Sequence, residues 1–122
     1  MYRSMMQVYV KGSDKAAKFY QNAFDARLIV CYPNPDGTLM HAELDVYGQV
    51  LALSELRKDS PITGNTMQFC LHFGEGQELT VKKIHDALIE GAEVCCPLGP
   101  CEFSPLMFGL IDQFGVNWCV FV

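Results

Sequence analysis

The sequence predicts an α+β fold made of two tandem βαβββ modules. Three observations carry this prediction: an order of strand, helix and three strands that can be read twice along the chain; short letter matches at corresponding places in the two halves; and a composition suited to one packed core. Half of the 122 residues are hydrophobic and 19% are charged, well inside the globular range and far from the disordered one. A chain of this length is expected to form a single domain without needing disulfide staples.

The first module spans about 1–60, with strands predicted at about 5–10, 27–33, 38–46 and 49–56 and a helix at about 14–25. In that helix Ala16, Phe19, Tyr20, Ala23 and Phe24 recur at spacings of three and four, so one face is expected to pack on a sheet. Ser13 or Asp14 is placed to cap its free N–H groups. Asn34-Pro35-Asp36-Gly37 is turn chemistry, and Tyr47-Gly48 marks a tighter reversal. Three consecutive antiparallel strands follow from these two turns.

The second module spans about 61–122, with strands at about 67–73, 93–97, 106–111 and 116–122 and a helix at about 77–90. Val81, Ile84 and Leu88 form the apolar stripe of this helix, and Gly91 stands where a C-terminal glycine belongs. Asp112-Gln113-Phe114-Gly115 supplies the last turn. Met67-Gln68-Phe69 matches Met6-Gln7-Val8, and Cys95-Cys96-Pro97 matches Cys31-Tyr32-Pro33, as a duplicated module would. Phe19, Tyr20, Ala23, Ile84, Leu88 and Trp118 are the expected buried residues between helices and sheets.

A formal net charge of -5, with nine Lys and Arg of which no more than two stand together, provides no basic stripe for phosphates, so no nucleic-acid partner is expected. No apolar run reaches the roughly 18 residues of a spanning helix, and the start lacks a charged and then apolar leader. A cytoplasmic protein with no membrane association is expected. Of six cysteines, Cys31, Cys70 and Cys119 lie in apolar strand-like runs and read as small buried hydrophobes in reduced form. Cys95, Cys96 and Cys101 lack the paired spacing and neighbouring His of a structural zinc site. No P-loop, Ser-His-Asp set or glycine-rich dinucleotide turn is present.

Lys15-Ala16-Ala17-Lys18-Phe19-Tyr20 with Phe24, Met40-His41-Ala42-Glu43-Leu44 before Gly48, and Asp112-Gln113-Phe114-Gly115-Val116-Asn117-Trp118 occur in an order and spacing that resemble the vicinal oxygen chelate superfamily, which includes glyoxalase, bleomycin-resistance and dioxygenase proteins. Within it the chain resembles the PhnB-like branch, also labelled 3-demethylubiquinone-9 3-methyltransferase-like. The resemblance implies curved sheets with a ligand cleft on the concave side, and commonly a homodimer. In metal-using members the ligands come from the first and fourth strands of each module, and the corresponding positions are Met5, Glu55, Gln68 and Cys119. Thioether and thiol suit a hard divalent ion poorly, which leaves Glu55 and Gln68 as ordinary ligands if a divalent metal is bound. No cofactor is expected.

The cleft expected from this resemblance and from strand alternation is lined by Gln7, Tyr9, Leu53, Glu55, Gln68, His72 and Cys119, with His41 as a further candidate. His41, Glu43 and Asp45 form the wet face of their strand, which is either the cleft or a solvent side. If Tyr47-Gly48 is a two-residue hairpin, position 41 falls opposite 54, and His41 and Glu55 face opposite sides; a three-residue loop reverses this. His72 shares a face with Gln68 but also suits a core beside Phe69 and Phe73. His85 reads as a boundary residue of its helix. The functional expectation is a small-molecule ligand bound without a tightly held metal. The alternative is a metal-dependent glyoxalase or dioxygenase-type enzyme using Glu55 and Gln68 as ligands.

Overall fold

The computed structural model describes residues 1–57 and 60–122, and the chain divides into two compact units, Met1–Ile62 and Thr63–Val122. Among the described residues there are eight strands and two helices, with each unit running strand, helix and three strands. No helix among them is long and apolar enough to cross a membrane.

In the first unit β1 (Met6–Val10), α1 (Ser13–Phe24), β2 (Arg27–Pro33), β3 (Leu39–Val46) and β4 (Gln49–Glu55) form a four-stranded sheet of order β1-β4-β3-β2. Strand β1 runs parallel to β4, and β4-β3-β2 is an antiparallel meander. Val8, Leu53 and Ala42 are neighbours in one row across the sheet, and this face carries α1 through Ala16, Ala17, Tyr20, Ala23 and Phe24. Tyr20 stacks on Phe24 at 6.0 Å. Phe19, expected in the core, is only half-buried: it flanks the stripe and meets Tyr20 edge-on at 5.5 Å.

Tyr47 and Gly48 both have positive φ (52° and 88°), and Val46 pairs with Gln49, so the β3–β4 loop is a two-residue hairpin of the primed kind. Gly48 accepts that backbone at little cost, and its N–H donates to Asp45 Oδ1 at 2.7 Å. This settles the register that the sequence leaves open.

The cap expected of Ser13 or Asp14 comes from elsewhere. Gly12 precedes the helix in a left-handed conformation with no side-chain cap of its own, and Glu55, at the end of β4, accepts the N–H groups of Gly12 (3.2 Å) and Ser13 (2.9 Å). Ser13 is fully buried because its hydroxyl is turned inward, donating to Glu55 at 2.8 Å and accepting from Leu39 N–H at 2.8 Å.

The second unit contains β5 (Phe69–His72), α2 (Glu78–Leu88), β6 (Glu93–Gly99), β7 (Met107–Ile111) and β8 (Asn117–Phe121), in the order β5-β8-β7-β6. Its helix-side face is built from Phe69, Trp118 and Leu110 in one row and Leu71, Val120 and Phe108 in the next, under Val81, Ile84 and Leu88. Trp118 is fully buried, and its indole N–H donates to Asp112 Oδ2 at 2.8 Å. Asp112 Oδ1 accepts the N–H groups of Phe114 and Val116, so the Asp112–Gly115 turn is held from within by one buried carboxylate. His85 lies edge-on to Phe108 at 5.1 Å beside α2, in keeping with a boundary position.

Candidate functional site

Each sheet has one face under its helix and one free of it, and period-two alternation assigns each candidate residue to a face. In the first unit the rows Gln7–Ala52–Glu43–Val30 and Tyr9–Ser54–His41–Tyr32 lie on the helix-free side. Gln7 Nε2 donates to Ser54 Oγ at 3.2 Å, while Tyr9 and Tyr32 are 61% and 55% exposed.

Leu53 and Glu55 are not part of that face. The parallel register pairs Val8 with Leu53 and Val10 with Glu55, so the fourth-strand residues beside Gln7 and Tyr9 are Ala52 and Ser54, one position earlier in each case. Leu53 is fully buried on the helix side, and Glu55 caps α1. His41 lies opposite Ser54, so His41 and Glu55 face opposite sides of the sheet, as the two-residue hairpin requires.

The polar centre of the helix-free face is a residue that the candidate set omits. Glu43 is only 4% exposed, yet it receives both guanidinium nitrogens of Arg3 (2.7 and 2.8 Å), with His41 Nε2 at 3.0 Å from Oε1. A carboxylate can only accept, so the imidazole donates through Nε2. Hydrogen bonds first from Arg3 and then from His41 hold the Glu43 carboxyl at about 2, well below the ordinary carboxylate range. The wet strand face was legible from alternation, but Arg3 lies outside every predicted element and carried no signal.

In the second unit the helix-free face brings together Gln68, His72 and Cys119. Cys70 pairs with Cys119 and His72 with Phe121, and Gln68, one residue before β5, donates to Asn117 Oδ1 at 3.0 Å. His72 is not the core histidine that the sequence also allowed: it is exposed and stacks on Phe121 at 4.6 Å and 15°. Phe103 completes an aromatic ridge, edge-on to Phe121 at 5.2 Å. Cys31 and Cys70, read as buried from their apolar runs, are exposed because β2 and β5 are sheet edges; Cys119, inside the sheet, is buried. Burial, and then its contacts with Cys70, push the Cys119 thiol up to about 11.

A family model for the Glyoxalase/Bleomycin resistance protein/Dioxygenase superfamily matches residues 4–120. The chain belongs to that superfamily. No curated protein matches it. Solved structures share its fold: a PhnB protein from Bacillus cereus carrying the provisional label 3-demethylubiquinone-9 3-methyltransferase has a TM-score of 0.81 at 19% identity, covering 98% of each chain. Protein PA1353 from Pseudomonas aeruginosa has a TM-score of 0.81 at 22% identity, covering 99% of this chain and 97% of its own. The fosfomycin resistance protein FosX from Listeria monocytogenes, in complex with Mn(II) and 1S,2S-dihydroxypropylphosphonic acid, has a TM-score of 0.69 at 17% identity, covering 98% and 87%.

The positions that the resemblance assigns to a metal, Met5, Glu55, Gln68 and Cys119, carry donors that do not together suit a hard divalent ion, and Glu55 lies on the helix side of its sheet. Both Glu55 oxygens are committed to the start of α1. Cys119 is a protonated thiol at neutral pH, Met5 has only a thioether, and the Gln68 amide donates to Asn117. Among the described residues no three His, Cys, Asp or Glu side chains are grouped to hold a metal.

Proposed function

We propose that this superfamily member is a PhnB-like small-molecule binding protein that takes its ligand on the helix-free sheet faces without a resident metal. The observation that carries the reading is the second unit's face, where the Phe103–Phe121–His72 ridge adjoins the Gln68–Asn117 amide pair and the Cys70 and Cys119 thiols. Flat aromatic surface with a few hydrogen-bonding groups is the chemistry of a site for a planar or partly apolar ligand. Phe121 would stack on the ligand and Gln68 would orient it. On the first unit Tyr9, Tyr32 and Gln7 offer similar contacts around Glu43, whose charge Arg3 already balances.

The protein is further proposed to work as a homodimer in the cytoplasm. Strand β2 is an edge of the first unit's sheet and exposes Leu28 and Ile29, strand β6 is an edge of the second unit's sheet and exposes Val94, and each is an edge that a second copy would cover. Six cysteines without a disulfide suit a reducing compartment.

A thermal-shift screen of small metabolites and antibiotics is expected to find a stabilising ligand that needs no added metal. Phe121→Ala and Gln68→Ala should each weaken its binding about tenfold or more, the loss of roughly one stacking or hydrogen-bonding contact. Unchanged affinity in both variants would remove the second unit's face from the site. Stoichiometric divalent metal in protein purified without a metal-affinity tag would instead favour a metal-dependent glyoxalase or dioxygenase-type enzyme.

A further inference from the structure

On the second unit's helix-free face the cysteines lie in one row: Cys70 on β5, Cys119 on β8 and Cys96 on β6, with Gly109 of β7 between the last two. Cys70 and Cys119 are direct partners on adjacent parallel strands and point the same way. Neighbouring strands lie about 4.8 Å apart, within the Cα separation that a disulfide spans. On the same face the Cys70 thiol donates to Gln68 Oε1 at 3.9 Å. Cys96 is two strands from Cys119, about 10 Å, beyond bridging range without backbone movement. Cys95 lies in the irregularity of β6 between Val94 and Cys96, and its thiol donates to Glu93 O at 3.9 Å. Access separates the two partners: Cys70 is exposed on the edge strand, while Cys119 is 7% exposed within the sheet.

From this arrangement we infer that Cys70 and Cys119 are a modification site, a dithiol that low-molecular-weight disulfides of the glutathione type oxidise reversibly to a cross-strand disulfide. Cys70 releases its proton to solvent and attacks one sulfur of the small disulfide, which breaks its S–S bond and expels one thiolate that takes up a proton. Cys119 then gives up its proton and attacks Cys70 Sγ, forming the internal S–S bond and expelling the second small thiol. The protein dithiol loses two electrons and the small disulfide gains them as two thiols. A bridge directly across adjacent strands departs from relaxed disulfide geometry, so reduction by excess small thiol is easy. Once formed, the bridge ties the four-residue edge strand β5 to β8.

The test is to incubate the intact protein with glutathione disulfide, block free thiols and map linkages by peptide mass spectrometry. The expected result is a Cys70–Cys119 linkage, with loss of two hydrogens and no retained glutathione, reversed by dithiothreitol. Cys119→Ser should stop at one glutathione held on Cys70, and Cys70→Ser, at an exposed position that folding tolerates, should leave Cys119 unmodified. A linkage made instead by Cys96 or Cys101, a linkage between two chains, or glutathione retained on the parent protein without internal closure would overturn the inference.

Discussion

An ionised carboxylate as enclosed as Glu43 must be met by donors or take up a proton, and Arg3 and His41 meet it. Because its folded pKa lies below the ordinary carboxylate value, the pairing contributes fully at neutral pH and is lost as pH falls from about 4.5 towards about 2. Chemical denaturation across that window should therefore show the parent losing stability faster than Glu43→Gln. At neutral pH the variant should be less stable by about 1–2 kcal/mol, short of a fully buried pair because Arg3 stays 44% exposed. Equal acid limbs in the two proteins would mean that Arg3 does not hold the carboxylate in solution. This residue shows the limit of a sequence pattern. Alternation placed Glu43 on the wet face beside His41, whereas its partner comes from forty residues earlier and from outside any element.

At the scale of elements, a strand end serves as the cap of a helix. Glu55 accepts two backbone N–H groups and the Ser13 hydroxyl, favourable both as charge-assisted hydrogen bonds and as an anion at a helix start. Glu55→Ala should cost about 2–3 kcal/mol in urea unfolding and Glu55→Gln less, with ligand affinity on the second unit unchanged. A loss of affinity without a loss of stability would return Glu55 to the site. The β3–β4 hairpin makes a matching point. Gly48→Ala places a side chain at φ 88° and should cost about 1 kcal/mol, although open space surrounds the position, because the strain is in the backbone. Calorimetry showing no change would argue for a different turn in solution.

For the whole molecule, the apolar side chains exposed on the edge strands of each unit's sheet lead to an expected solution mass of about twice 13.7 kDa by light scattering at micromolar concentration. A mass near 13.7 kDa would count decisively against the homodimer. The duplicated plan was readable in advance because periodicity is a local property: spacings of three and four in α1 and α2, alternation in β3, and turn residues at Asn34–Gly37, Tyr47-Gly48 and Asp112–Gly115 each report on a few neighbours. Membership of the superfamily rests on the family model matched over residues 4–120. What the sequence by itself determined, then, is which segments become strands and helices, that they come twice, and that Gln7 shares a face with Tyr9, and Gln68 with His72. Only the tertiary structure decided that Leu53 and Glu55 lie under the helix, that Arg3 reaches Glu43, that Glu55 caps α1, and that Cys70 meets Cys119. These are relations between distant segments, and a shift of one residue in strand register, invisible to local pattern, moves a side chain to the opposite face of its sheet.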